Sequence, residues 1–240
     1  MVSDSMEQVV IKLGGSMISR GDDRLVEFEY LEKFGKLIQE LGGENQRKFF
    51  LVAGGGHMMR RYRDEAQSAG LINEEQLHWI GTTVTVLNAE IVRAYFYQFA
   101  DSGVYKYEDY FANKSLIIEK LIKVGAGSRP GVSSDMSALK AAVQMGTQKV
   151  ISLKNVDGVY SADPKNNPSA RRLERISWSE YFDIIGNPDT HEPGGNYPID
   201  PVTAKEAEKL AVQFIIVPGS DLNNVRQTIV GGEFVGTVVG

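Results

Sequence analysis

Short apolar runs, partly β-branched, recur along the chain, and glycines or turn-forming residues close each one. Val9-Val10-Ile11-Lys12-Leu13 leads at once into Gly14-Gly15-Ser16, and Lys48-Phe49-Phe50-Leu51-Val52-Ala53 into Gly54-Gly55-Gly56. Residues 149–153 run into Lys154-Asn155-Val156-Asp157-Gly158-Val159-Tyr160, and residues 212–217 and 236–239 read as late strands. Strands without polar alternation suit a sheet covered on both faces. Between them the apolar period changes to three and four. Leu31, Phe34, Leu37, Ile38 and Leu41 predict a helix over residues 25–41, ended by Gly42-Gly43. A second helix begins near His57, and Leu77, Ile80, Val84, Leu87, Ile91 and Tyr95 predict a long one within residues 73–100. Shorter helices are predicted over 136–145, 178–185, 202–210 and 222–229.

Three stretches lack a clear period. Residues 105–111 are aromatic. Residues 115–124 read as short structure leading into a glycine-rich loop over 125–135. Residues 186–197 form a polar stretch with two prolines, a candidate flap. The alternation of strands and helices suits an α/β fold. No internal repeat, low-complexity segment or linker interrupts it, so one domain is expected.

Composition narrows the function. At 240 residues, with 42% hydrophobic and 24% charged side chains, the chain suits one globular domain. The net charge of −5 argues against general nucleic-acid binding, which favours clustered positive charge. With no cysteine, disulfides and thiolate metal sites are excluded. No stretch approaches the ~18 apolar residues of a membrane span. The first residues lack the basic and apolar regions of a signal peptide, so a cytoplasmic location is expected.

The candidate chemistry lies where strands meet glycines. Gly14-Gly15-Ser16 and Gly54-Gly55-Gly56 each join a strand to a helix, and such junctions attract phosphate through free N–H groups. Two of them suggest two phosphate-bearing groups facing each other. Neither matches the Walker or dinucleotide pattern. Lys12 would place an ammonium beside the first loop, or be a solvated lysine at a strand end. Asp135 opens a helix, where a carboxylate is also an ordinary first-turn residue. His57, one of three scattered histidines, reads as a helix-start surface residue. The stretch 154–164 has the composition of a ligand loop at the carboxyl end of a parallel strand, and also of a plain strand-to-helix turn.

An ordered set of motifs resembles the amino-acid kinase family, especially its archaeal-type uridylate kinases. It comprises Lys12-x-Gly14-Gly15-Ser16, Gly54-Gly55-Gly56 with Arg60, Thr85-x-x-Asn88-Ala89, and Gly127-x-x-Pro130-Gly131 with Asp135. It continues with Asn155 to Pro164, Asp200-Pro201 with Ala204-Lys205, and Gly232-Glu233-x-Val235-Gly236-Thr237. The resemblance spans nearly the whole chain. It implies a three-layer α/β/α sandwich around a mainly parallel sheet, which agrees with the alternation above, and transfer of a phosphoryl group from ATP to UMP with Mg²⁺, no protein metal site, and a homo-oligomer, a hexamer in the relatives. Lys12 and Asp135 would be catalytic. Gly14, Gly15, Ser16, Gly56 and Arg60 would lie at the ATP phosphates. Lys154, Asn155, Asp157, Tyr160 and Asp163 would hold the nucleoside. Gly55, His78, Ala126, Gly127, Ser128, Arg129, Pro130, Gly131 and Val132 would form the UMP side. Residues 8–140 would thus carry the acceptor and phosphates, and residues 148–240 the ATP nucleoside. Lys205 is a further cation for the phosphates.

The departures fall on the acceptor side. His78 stands where the relatives place a ribose-binding carboxylate, Val86 where they place an arginine, and Ser128-Arg129 where they tend to have Thr-His. Two alternatives follow. One is a kinase of another small acceptor, such as isopentenyl phosphate or N-acetylglutamate. The other is an ATP- and oxyanion-binding storage protein of the molybdenum-storage type.

Overall fold

The computed structural model describes residues 6–19, 21, 24–45, 47–112, 116–186 and 197–240. Its centre is a seven-stranded sheet in the order β3-β2-β1-β4-β8-β9-β7. The strands are β1 (Gln8–Leu13), β2 (Lys48–Ala53), β3 (Ile122–Ala126), β4 (Lys149–Lys154), β7 (Arg175–Ile176), β8 (Gln213–Pro218) and β9 (Thr237–Val239). Every neighbouring pair is parallel except β8 with β9. A two-stranded antiparallel ribbon, β5 (Val159–Tyr160) with β6 (Arg172–Leu173), stands apart.

Strand alternation divides the core in two. Val9, Ile11, Leu13, Phe49, Leu51, Ile151 and Leu153 face one side. There they pack on α2 (Phe28–Asn45), α4 (Glu74–Tyr95) and α9 (Leu222–Val230) through residues such as Phe34, Val92 and Val225. Val10, Phe50, Val52, Val150, Phe214 and Ile216 face the other side. Their partners are α6 (Ser134–Gln144), α7 (Trp178–Ile185) and α8 (Pro201–Lys209), including Ala138, Tyr181 and Ala204. Both faces are covered, as the apolar strands require, and the three layers match the expected α/β/α sandwich. Among the described residues no helix is long and apolar enough to cross a membrane.

The topology positions the site. From β1 the chain moves outward through β2 and β3, then returns to the other flank of β1 with β4 and β8. Strand order reverses between β1 and β4, and in open α/β sheets the crevice beyond the carboxyl ends at such a point takes ligands.

Several boundaries differ from the expectation. Gly42 and Gly43 do not end α2, which continues to Asn45. A Cβ at Gly42 would fall 2.3 Å from Leu121, so close packing accounts for that glycine rather than a stop. The long helix ends at Tyr95 with Phe96 as its cap, short of residue 100. Gly125 and Ala126 belong to β3 and not to the loop, because their backbones pair with Val52 and Ala53. The aromatic stretch contains α5 (Tyr107–Phe111), and Tyr105 bridges Gly125 beside it. The flap expected over 186–197 falls largely outside the described residues.

Candidate active site

Lys12 and Asp135 form a buried ion pair, 123 positions apart in the chain. Lys12 points to the α6 side because Val10, two residues earlier on β1, does so. Asp135 enters from the first turn of α6, whose cap is Ser133: its Oγ accepts from Met136 N at 3.0 Å. The other carboxylate oxygen of Asp135 accepts from Asp200 N at 3.3 Å. Burial works against the charge of Asp135, but Lys12 and Lys154, helped by the Asp200 amide, hold its pKa below the usual carboxylate value.

Lys154 ends β4 on the same side of the sheet. Burial, and next the neighbouring Lys12 ammonium, lower its pKa to about 8, against an opposing pull from Asp135. Asp200 caps α8: its carboxylate accepts from Thr203 N at 2.9 Å and from the hydroxyls of Ser133 and Thr203. The segment ahead of it is fixed by Tyr181, whose hydroxyl donates to Ile199 O at 2.5 Å and accepts from Ile199 N at 2.7 Å.

The two glycine loops touch. A Cβ on Gly15 would lie 1.9 Å from Gly56 N, and one on Gly56 would lie 2.4 Å from Gly15 O. Gly56, at φ +67°, opens α3 (Gly56–Ser68), while Gly14 and Gly15 open the single turn α1 (Gly15–Ile18). Gly14 N donates to Leu153 O at 2.9 Å, which ties the first loop to the end of β4. Ser16 and Gly55 are half-buried beside these contacts, and Arg60 is exposed on α3. His57 stands at the start of α3 as expected, half-buried rather than fully exposed. Its ring packs against Gly21, where a Cβ would lie 1.9 Å from Nδ1, and that nitrogen is buried.

The loop after β4 leads into the β5–β6 ribbon. Tyr160 donates its hydroxyl to Asp157 Oδ1 at 3.0 Å, and Arg172 faces the same carboxylate at 3.9 Å. Asn155 is exposed. The Asp163 carboxylate accepts from Lys165 N at 3.0 Å and from Asn166 at 2.8 Å, so it shapes its own turn. Thr237, on the last strand, accepts from Val159 N at 2.8 Å and donates to Leu173 O at 2.5 Å, fastening this ribbon to the main sheet.

On the opposite flank, Gly127 to Val132 form a tight loop. Val132 N donates to Arg129 O at 3.2 Å, and Gly131 adopts φ +80°. A Cβ on Gly127 would meet Val132 O at 2.9 Å. Ala126 N donates to Tyr105 O at 3.0 Å, Ser128 Oγ accepts from Tyr107 N, and the Arg129 guanidinium lies 4.9 Å from the Tyr107 ring centre. Pro130 is half-buried within this loop, and His78 is half-buried on α4, three residues before Gly81.

A profile of the amino acid kinase family matches residues 7–218. The chain belongs to the amino acid kinase family. Within it, the uridylate kinase of Archaeoglobus fulgidus is 32% identical over 232 residues, covering 97% of this chain and 99% of that protein. The uridylate kinase of Methanocorpusculum labreanum is 30% identical over 235 residues, covering 98% and 96%. The crystal structure of the Archaeoglobus fulgidus uridylate kinase superimposes with a TM-score of 0.78, covering 98% of this chain and all (100%) of that one. The Bacillus anthracis UMP kinase structure, 21% identical, shares the fold at a TM-score of 0.77, covering 98% of this chain and 96% of that one.

Asn88 and Ser133 also build this site, without a role implied by the motifs. Asn88 reaches from α4 to the second glycine loop, and Ser133 joins the caps of α6 and α8. Asn88 stood inside a recognised motif, and a polar residue in the apolar stripe of α4 is a signal that it bonds inward. Ser133 precedes a helix start, the usual place of a capping hydroxyl.

Proposed function

We propose that the chain transfers the terminal phosphoryl group of ATP to UMP, giving ADP and UDP. The observation that carries this reading is the buried Lys12–Asp135 pair beside two touching glycine loops, in a chain alike over its full length to archaeal uridylate kinases. A phosphate oxygen of UMP attacks the γ-phosphorus while the bond to the β–γ bridging oxygen breaks. UMP phosphate is already anionic near neutral pH, so no strong general base is needed. Catalysis is positioning and charge stabilisation.

In this reading Lys12 meets the charge on the transferring group, and Asp135 holds the lysine in place. Gly14, Gly15, Ser16, Gly56 and Arg60 serve the ATP phosphates. The β4–β5 loop, with Asn155, Asp157, Tyr160 and Asp163, serves the nucleoside. Gly55, His78 and residues 126–132 serve UMP. Mg²⁺, arriving with ATP, would supply charge neutralisation at the phosphates. Among the described residues no group of three His, Cys, Asp or Glu could hold a metal, and a cation that enters on phosphates needs no such cage. Cytoplasmic action as a homo-oligomer belongs to the same reading.

An assay of ADP release tests it across UMP, CMP, isopentenyl phosphate and N-acetylglutamate. UMP should be the preferred acceptor. Preference for another acceptor would move the chain elsewhere in the family. Nucleotide binding with no acceptor-dependent ADP release would favour the storage alternative.

A further inference from the structure

Arg63 places a charge on the side of α3 that faces α4. Met59 and Arg63, four residues apart and so on one helix face, both pack against Gly81 of α4. A Cβ on Gly81 would lie 3.2 Å from Met59 Cγ and 3.4 Å from Arg63 Cδ. Met59 also covers the second glycine loop, since a Cβ on Gly55 would meet its sulfur at 2.6 Å. The other charged residues of α3, namely Arg60, Arg61, Asp64 and Glu65, are exposed, and there Arg61 faces Glu65 at 3.4 Å. Arg63 is half-buried instead. Its Nε–H is buried and has no hydrogen-bond partner among the described residues.

Position says what such a donor meets. At about 1.5 Å of rise per residue, Arg63 lies roughly 10 Å along the helix axis from Gly56. Helical side chains lean toward the N-terminus, so this one reaches back toward the glycine loops. Gly81 stands level with it on α4, and His78 lies one turn before Gly81. Two turns after Gly81, Asn88 bonds to Gly54 O and Gly55 O. The seam between the two helices therefore starts at the second glycine loop and runs past Met59 to Arg63. No described residue of α3 is fully buried, so the seam is open to solvent. In a nucleoside monophosphate the group next to the phosphate is the sugar. With the acceptor phosphate at the glycine loops, the sugar falls along this seam, within reach of the Arg63 guanidinium.

We propose that Arg63 is a specificity-determining residue of the acceptor side. Its guanidinium donates to the vicinal sugar hydroxyls of a ribonucleoside monophosphate, and so favours ribose over 2′-deoxyribose acceptors. The proposal rests on the reading of UMP as acceptor, and it adds a residue that the motifs do not include.

The chemistry of the two partners fits. A guanidinium offers N–H donors in a planar fork and no acceptor, and each hydroxyl oxygen has lone pairs to receive them. Two neighbouring hydroxyls match two prongs of the fork. A 2′-deoxy sugar lacks one of them and leaves a partly desolvated donor unpaired, which a site built for the hydroxyl penalises.

The test is steady-state ADP release with UMP and with 2′-deoxy-UMP, at saturating ATP and Mg²⁺, for wild type, Arg63→Met and Arg63→Lys. Methionine keeps an unbranched stem against Gly81 and removes the donors. Wild type should prefer UMP by at least about tenfold in kcat/KM. Arg63→Met should lose at least about tenfold with UMP and less than about threefold with 2′-deoxy-UMP, so the preference collapses. Its KM for ATP should stay within about twofold of wild type. Arg63→Lys should recover part of the preference, because an ammonium reaches a hydroxyl without the geometry of the fork. An arginine that only packs between the helices, or one that holds the acceptor phosphate, would weaken both acceptors alike. That result overturns the proposal, as does wild-type protein that uses the two acceptors equally. Wild-type protein that releases no ADP with UMP shows instead that the acceptor reading has failed, and the proposal falls with it.

Discussion

Asn88 donates from Nδ2 to the carbonyl oxygens of both Gly54 and Gly55, at 2.8 and 3.0 Å. A side chain on the buried face of α4 thereby fixes the loop that would carry phosphate. Truncation leaves two carbonyls without their donor, and a buried unsatisfied group costs about 1–3 kcal/mol. Asn88→Ala should destabilise by that amount in urea unfolding. Asn88→Asp should be worse, because it sets carboxylate oxygens against carbonyl oxygens. An alanine variant within about 0.5 kcal/mol of wild type would remove Asn88 from this role.

Glycine substitutions should differ in sign with their surroundings. At Gly15 a Cβ would meet the Gly56 backbone at 1.9 and 2.3 Å, so Gly15→Ala must separate the two loops. Affinity for an ATP analogue should fall by more than about tenfold. Gly43 is a helical residue of α2, and a Cβ there would meet nothing within 4 Å. Gly43→Ala should stabilise the protein by about 0.5–1 kcal/mol through helix propensity, with binding unchanged. Chemical unfolding and calorimetry of the two variants read both signs.

Much of this arrangement was legible in the chain. Each apolar run followed by glycine became a strand whose end faces the crevice, so Lys12, the glycine loops and Lys154 follow from local pattern alone. Asp135 is legible as a helix-start carboxylate, but its partner lies 123 positions away, a distance that local periodicity does not span. The same limit hid the Thr237 bonds to Val159 and Leu173, which fasten a ribbon of two-residue strands. Strands that short have no measurable period. Gly125 and Ala126 read as loop because glycine weakens a strand signal. Packing explains the exception: a Cβ on Gly125 would lie 2.1 Å from the Tyr110 hydroxyl, so the strand needs glycine there.

His78 tests the acceptor. A carboxylate accepts two hydrogen bonds from a ribose diol, whereas a neutral imidazole offers one donor and one acceptor. If UMP is bound here, His78→Asp should tighten it by one recovered hydrogen bond, roughly 0.5–1.5 kcal/mol or about threefold to tenfold. Calorimetric titration of UMP in the presence of an ATP analogue measures the change. Unchanged or weaker UMP binding in the variant would place the ribose away from His78.

In the proposed phosphoryl transfer from ATP to UMP, Lys12, held by Asp135, meets charge that develops on the moving group. Single-turnover measurement of UDP formation by wild type and Lys12→Ala checks this role, with ATP affinity measured alongside. The rate should fall by two or more orders of magnitude, about 2.7 kcal/mol or more, while ATP affinity changes far less. A Lys12→Ala protein that forms UDP at close to the wild-type rate would remove Lys12 from the chemical step.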